Sequence, residues 1–136
     1  MGRKFILAGT LLAVSWSMSP AFAESKVANR AFQEIKVEAG QTLFDIQCRR
    51  CHSDDKSDPS YGPELIGIIG RPAGDEEGYE YSDALQNSGI VWTKAALRAW
   101  MEDNDGFMPG TKMRHVGIED MTVQDFILAY LETLTE

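Results

Sequence analysis

Two cysteines and a histidine stand together in this 136-residue chain, as Cys48-Arg49-Arg50-Cys51-His52. Cys-x-x-Cys-His is the spacing that attaches a c-type haem. The reason is geometric. Two thiols, two residues apart on a helical turn, can each form a thioether with one of the two neighbouring vinyl groups of the ring. The histidine directly after the second cysteine then lies where it can offer a nitrogen to the iron. Covalent bonds hold such a ring without full enclosure, so one edge can stay exposed for electrons to leave by.

Three other chemistries use some of the same residue types. Tetrahedral zinc wants four ligands, and the whole chain offers only Cys48, Cys51, His52 and His115. Three of these are too close together for an unstrained cage. A thioredoxin-like redox pair opens a helix inside a βαβ unit, but no strand pattern precedes Cys48. A disulfide across so short a loop is strained.

The elements that position this motif occupy one domain, as the length implies. Residues 1–23 read as a leader rather than part of it. Arg3 and Lys4 give a positive start, Phe5–Met18 is mostly apolar but short for a membrane span, and Ala21-Phe22-Ala23 is a small-x-small cleavage site. A retained anchor is the alternative. An exported leader places the chain in a periplasm, where haem is attached after export. Lys and Arg number 13 and Asp and Glu 21. Loss of the leader removes two basic residues and no acidic ones, leaving a formal charge of −10. Such a charge argues against nucleic acid and anionic lipid as partners.

Residues 24–37 read as a lead-in with roughly helical apolar spacing (Ala28, Phe32, Ile35), and 38–136 as the domain. A first helix is expected from Glu38 to Arg50, where Gly40, Phe44 and Cys48 share one face. Leu65–Gly70 is apolar but broken by glycine, and reads as an irregular loop wrapped on something apolar. Tyr81–Leu85 suits a short helical turn. Thr93 is a candidate N-cap for a helix with Leu97, Trp100 and Met101 on its apolar face, which Asp103 to Gly106 ends. A turn-rich loop, Phe107–Met113, precedes a last helix from Thr122 to Thr133, with Thr122 and Asp125 in capping-box positions. The sum is all-α: three to four short helices joined by loops.

From about Glu38 to Leu134 the chain resembles a class I cytochrome c of the soluble mitochondrial and bacterial type. The resemblance is carried by Gly40-x-x-x-Phe44-x-x-x-Cys48-x-x-Cys51-His52, then Gly62-Pro63, Gly70-Arg71, Tyr81-Ser82-Asp83-Ala84, Gly89-Ile90-Val91-Trp92, Pro109-Gly110-Thr111-Lys112-Met113 and Ala129-Tyr130-Leu131, all in order. It implies a fold wrapped around one haem bound through Cys48 and Cys51, with the first helix crossing the last. It implies His52 and Met113 as the two axial ligands. Among the other methionines, Met108 is the serious rival. It further implies that the Pro63 carbonyl orients His52, that Arg71, Tyr81 and Trp92 hold one haem propionate, and that Thr111 contacts the other. Thioether sulfur favours ferrous iron, and six-coordinate iron has no open site for oxygen. The implied function is therefore electron transport without catalysis. The electron would pass from a cytochrome bc-type complex or a dehydrogenase to a terminal oxidase or reductase. A dedicated cytochrome subunit of one dehydrogenase, and a haem enzyme or ligand sensor with a displaceable Met113, are the alternatives.

Several positions depart from the family pattern. Trp100 stands where a tyrosine hydroxyl usually bonds the methionine sulfur. Leu85 replaces an asparagine, and His115 replaces a phenylalanine at the haem edge. Most of the family's edge lysines are missing. Arg49, Arg50, Lys112 and Arg114 are left as a small basic patch on an acidic body, suited to an acidic docking site on a transient partner of an otherwise monomeric protein.

Overall fold

The computed structural model describes residues 20–135, apart from Lys56 and Pro59. The expected leader therefore lies outside the described residues as far as Ser19. Five helices occur among the described residues: α1 (Pro20–Gln47), α2 (Asp83–Gln86), α3 (Lys94–Glu102), α4 (Asn104–Phe107) and α5 (Met121–Leu131). Among the described residues there is no strand, only an isolated bridge between Pro72 and Val91. The fold is all-α. None of the described helices is long and apolar enough to cross a membrane.

Where a helix was expected from Glu38, one 28-residue helix runs from Pro20 to Gln47. Proline fits the first helical position, where its fixed φ matches and its missing N–H has no partner to lose. No further proline follows within the helix, so nothing stops it at the boundary expected near residue 37. Its first half stands clear of the domain: Phe32 and Ile35 are 53% and 61% exposed. The apolar spacing there is helical, but Val27, Phe32 and Ile35 remain exposed, with only Lys36 of the same helix over the Phe32 ring. At the other end the N–H groups of Cys48 and Arg49 both reach the Phe44 carbonyl, and those of Cys51 and His52 reach the Cys48 carbonyl. The haem-attachment motif is thus a coiled continuation of α1.

Two local starts also differ from expectation. α5 is capped by Asp120, whose carboxylate accepts from the N–H groups of Thr122 and Val123. Thr122 and Asp125, expected to form a capping box there, do not: Thr122 is inside the helix and Asp125 pairs with Arg98 of α3. Aspartate is as good a cap as threonine, and a carboxylate beside a guanidinium has a stronger partner than a backbone amide. Asp103, expected only to end α3, also caps α4 by accepting from Gly106 N–H at 2.9 Å. Thr93 caps α3 as expected, accepting from Ala96 N–H at 3.1 Å.

α1 and α5 cross at Gly40. A Cβ added there would lie 1.9 Å from the Phe126 carbonyl oxygen and 3.0 Å from Tyr130 Cβ. The two backbones are therefore in contact, and one turn further on Phe44 meets Tyr130 with ring centroids 5.3 Å apart. Phe44 and Ile127 are fully buried. In an unobstructed helix Gly40→Ala would stabilise by about 1 kcal/mol through propensity. Here the obstruction is backbone, which cannot rotate away, so overpacking decides the sign. Gly40→Ala is expected to destabilise the folded protein by about 3 kcal/mol or more, read as a lower midpoint in guanidinium unfolding. An unchanged or raised midpoint would mean that the helices do not touch at this point.

Candidate functional site

Between α1, α3, α5 and the loops lies one largely apolar cavity of about 290 Å³. Cys48, Cys51 and His52 line it from the end of α1, and Thr111, Lys112, Met113, Arg114 and His115 line it from the loop before α5. Pro63, Tyr81, Leu85, Trp92 and Trp100 complete much of the wall. The fold therefore brings together residues more than sixty positions apart in sequence.

His52 is 8% exposed, and its Nδ1 lies 2.8 Å from the Pro63 carbonyl oxygen. A carbonyl can only accept, so Nδ1 carries the proton, and Nε2 is the nitrogen left with a lone pair to give. Burial pushes the imidazole's pKa below its ordinary value, with the Pro63 bond acting in the opposite direction. Both the fixed tautomer and the neutral ring suit a metal ligand. Gly62 is required beside it, because a Cβ there would lie 2.6 Å from His52 Cε1.

Met113 arrives by a tight turn. Pro109 and Gly110 occupy the corner, Gly110 has φ +91°, and Thr111 N–H reaches the Met108 carbonyl at 3.2 Å. This is the type II arrangement, which places glycine where other residues are strained. The Met113 sulfur then accepts a hydrogen bond from Trp100 Nε1 at 3.0 Å. The indole reaches the sulfur, which the sequence left open. Met101 also lines the cavity, from α3. Met108, the rival ligand, is a buried core residue and does not line it.

Tyr81, Trp92 and Thr111 line the cavity, but Arg71 does not. Its guanidinium donates to the carbonyls of Glu64 and Ile66 and pairs with Asp75 at 3.4 Å. It ties the surrounding loops together rather than presenting charge to the cavity. Trp92 is fixed by its backbone, which bonds Arg71 and Gly70. His115 is half-buried and lines the cavity, its Nδ1 accepting from Gly117 N–H at 3.1 Å.

Cys48 and Cys51 are free thiols. Burial, with the nearby Cys51 adding to it, pushes the Cys48 thiol up to about 12. It is then protonated at neutral pH, which disfavours thiol–disulfide exchange. Among the described residues no group of three or more Cys, His, Asp or Glu could hold a metal ion as a cage. The donor set is instead two adjacent thiols, one neutral imidazole nitrogen and one thioether around an apolar slot.

The family model for cytochrome c matches residues 37–135. The chain belongs to the cytochrome c family. It is 45% identical over 95 residues to a cytochrome c2 of Rhodopila globiformis, covering 70% of this chain and 90% of that protein. It is 39% identical over 99 residues to a cytochrome c of Euglena viridis, covering 73% and 97%. The structure of cytochrome cH from Methylobacterium extorquens superposes with a TM-score of 0.66 at 42% identity, covering 71% of this chain and 97% of that one. Cytochromes c are electron carriers rather than enzymes and bind haem covalently, and the donor set described above fits that group.

The basic patch is less basic than the sequence implied. Arg49 pairs with Asp45 and Asp54, and Arg114 pairs with Asp105 at 2.9 Å. Lys112 is exposed and donates to the Glu80 carbonyl at 2.9 Å. Arg50 is exposed without a salt bridge among the described residues. Asp54 has a second partner, the Tyr130 hydroxyl of α5. This Arg49–Asp54–Tyr130 chain fastens the attachment turn of this cytochrome c to its last helix.

Arg49 first, and then Tyr130, hold the Asp54 carboxyl below its ordinary 3.8, against its desolvation. A carboxyl depressed on folding adds stability above its unfolded value, and that stability is lost as pH falls through the folded value. Acidification below about pH 4 should therefore weaken the protein partly through Asp54. Asp54→Asn is expected to lower stability at pH 7 and to flatten its dependence on pH between about 4 and 2. Urea unfolding across that range checks this, and parallel curves for the two proteins would remove Asp54 from the acid response.

Proposed function

We propose that this chain is an exported, diffusible carrier of single electrons, with one haem c attached through Cys48 and Cys51 and with His52 and Met113 as the axial ligands. The observation that carries the reading is the Trp100–Met113 contact. It holds a thioether sulfur in the same cavity as both thiols and the neutral His52 nitrogen.

When bound, haem supplies a one-electron ferric–ferrous couple. The chain's own residues do the rest. Pro63 fixes His52 as an Nε2 ligand, and Trp100 draws electron density from the Met113 sulfur by donating to it, which favours the ferrous form. Leu85, Leu97 and Ile127 keep water from the cavity. Tyr81, Trp92 and Thr111 offer hydroxyl and indole donors to the propionates, with Arg71 stabilising the loop behind them. With His52 and Met113 both holding the iron, no site would be left for oxygen, and a soft neutral ligand would raise the reduction potential. The leader-like first 23 residues support a periplasmic location. A membrane cytochrome bc-type complex or a periplasmic dehydrogenase would be the donor, and a terminal oxidase or reductase the acceptor.

The test is an absorption spectrum of holoprotein matured with haem-attachment machinery. A low-spin thioether-linked haem is expected, with a weak long-wavelength ferric band from sulfur on iron, which Met113→Ala abolishes. A high-spin haem that binds carbon monoxide in the unaltered protein would overturn the reading.

Docking is carried in this reading by Arg50 and Lys112, since Arg49 and Arg114 are already paired. Neutralising both as Arg50→Gln and Lys112→Gln should slow reduction by an acidic partner about threefold at low salt and flatten its salt dependence. Arg49→Gln should instead lower stability and leave that rate nearly unchanged. Equal rate losses from both changes would mean that Arg49 faces the partner.

A further inference from the structure

The segment from Met108 to Ile118 has little backbone pairing of its own. Thr111 N–H bonds the Met108 carbonyl, and Ile118 N–H bonds the Met101 carbonyl of α3 at 2.7 Å. Between these points the chain is held by side chains. Trp100 holds the Met113 sulfur. The Met113 carbonyl accepts from Asn104 Nδ2 at 2.6 Å. Gln124 of α5 donates to the Ile118 carbonyl, also at 2.6 Å.

Asn104 stands out among these. It is 3% exposed, and it is the first residue of α4, a single turn held by the Asp103 cap. A buried amide that meets one carbonyl is costly to rearrange, because separation leaves both groups unpaired away from water. We infer that Asn104 is a positioning residue: by holding the Met113 carbonyl, it sets how readily the Met113 sulfur is displaced from iron. The inference rests on Met113 being an axial ligand. It assigns a separate role, because Trp100 acts on the sulfur itself and Asn104 on the backbone that carries it. With the carbonyl anchored, the sulfur can leave only by rotation of its own side chain or by parting the Asn104 bond. Without the anchor, the whole residue swings out, and an outside base finds the iron open more often.

The experiment uses ferric holoprotein at neutral pH and titrates it with imidazole, following loss of the long-wavelength sulfur band. Asn104→Leu, of similar volume but with no donor, should bind imidazole about tenfold more tightly than the unaltered protein. Asn104→Gln, which keeps an amide, should recover part of the difference. Gln124→Leu serves as the comparison: it removes an equally buried amide from the same loop, one that does not touch Met113. It should lower the unfolding midpoint and change imidazole affinity by much less. Should the leucine variant fail to fold, Asn104→Ser, too short to reach the carbonyl, is read in the same way. Unchanged imidazole affinity in the Asn104 variants, or an equal effect from Gln124→Leu, overturns the inference while leaving Met113 on iron. Absence of the band from the unaltered protein overturns the ligand assignment, and this inference with it.

Discussion

The close approach of α1 and α5 at Gly40 is the constraint on which the rest depends. Both walls of the cavity hang from these two helices. α1 carries the two cysteines and His52 at its end. α5 reaches that end through Tyr130, which bonds Asp54, which in turn bonds Arg49. α5 also reaches the opposite wall through Gln124, which holds the Ile118 carbonyl, next to the Met113 loop. A side chain at position 40 would push the backbones apart and alter both connections together. Interiors packed as densely as crystals pass on such a displacement rather than absorb it. The walls that carry His52 and Met113 thus both depend on the close approach that Gly40 permits.

Charge is organised locally against the balance of the chain. The whole sequence carries a formal charge of −8, and yet cations cluster near the cavity mouth. Two of the four cations of the patch are already engaged by carboxylates: Arg49 by Asp45 and Asp54, Arg114 by Asp105. The Arg114–Asp105 pair, exposed on both sides, contributes little to stability, but every such pair removes charge from the field an approaching molecule meets. What remains is a weak positive spot on an acidic body. A dipole of that form orients encounter at low salt and fades as screening shortens its range. Counting basic residues in the sequence overstates it, because the count omits the partners that folding brings beside them.

Much of the site was legible from residue types and spacing. Cys-x-x-Cys-His needs three residues on one turn, and Pro-Gly needs a positive φ at the glycine. Local chemistry of that kind is written directly in the sequence, as are the Thr93 cap and the all-α pattern. What was not legible required knowing what lies opposite. The sequence reads residues 24–37 as a lead-in apart from the helix at Glu38, because their apolar spacing, though roughly helical, is short, whereas the structure continues one helix through them. α4 is a single turn set by one capping aspartate, too short for any periodicity to show. Resemblance implies Arg71 as a propionate partner, and only the structure shows that its guanidinium also binds the carbonyls of Glu64 and Ile66. Whether an indole at position 100 reaches a sulfur thirteen residues later depends on a ring orientation that no sequence pattern encodes. Asn104 gave no signal, since a single asparagine after an aspartate reads as loop.

The same comparison shows where the molecule can give way. Helices α1 and α5 are held by backbone contact, aromatic packing and fully buried aliphatic residues, all of which part only when the domain unfolds. The Met113 loop is held largely by side-chain bonds, among them those of Trp100 of α3, Asn104 and Asp105 of α4 and Gln124 of α5, with few backbone bonds of its own. Each of those bonds can open without disturbing the helix crossing. Local opening follows the number of buried apolar contacts and protected backbone bonds that a segment owns, and this loop owns few of either. Loss of the methionine side of the site is therefore a local event with its own free energy, separate from loss of the histidine side. An electron carrier needs both sides fixed while the electron moves, so Trp100 and Asn104, which hold the Met113 sulfur and carbonyl, bear on function out of proportion to their share of the fold's stability.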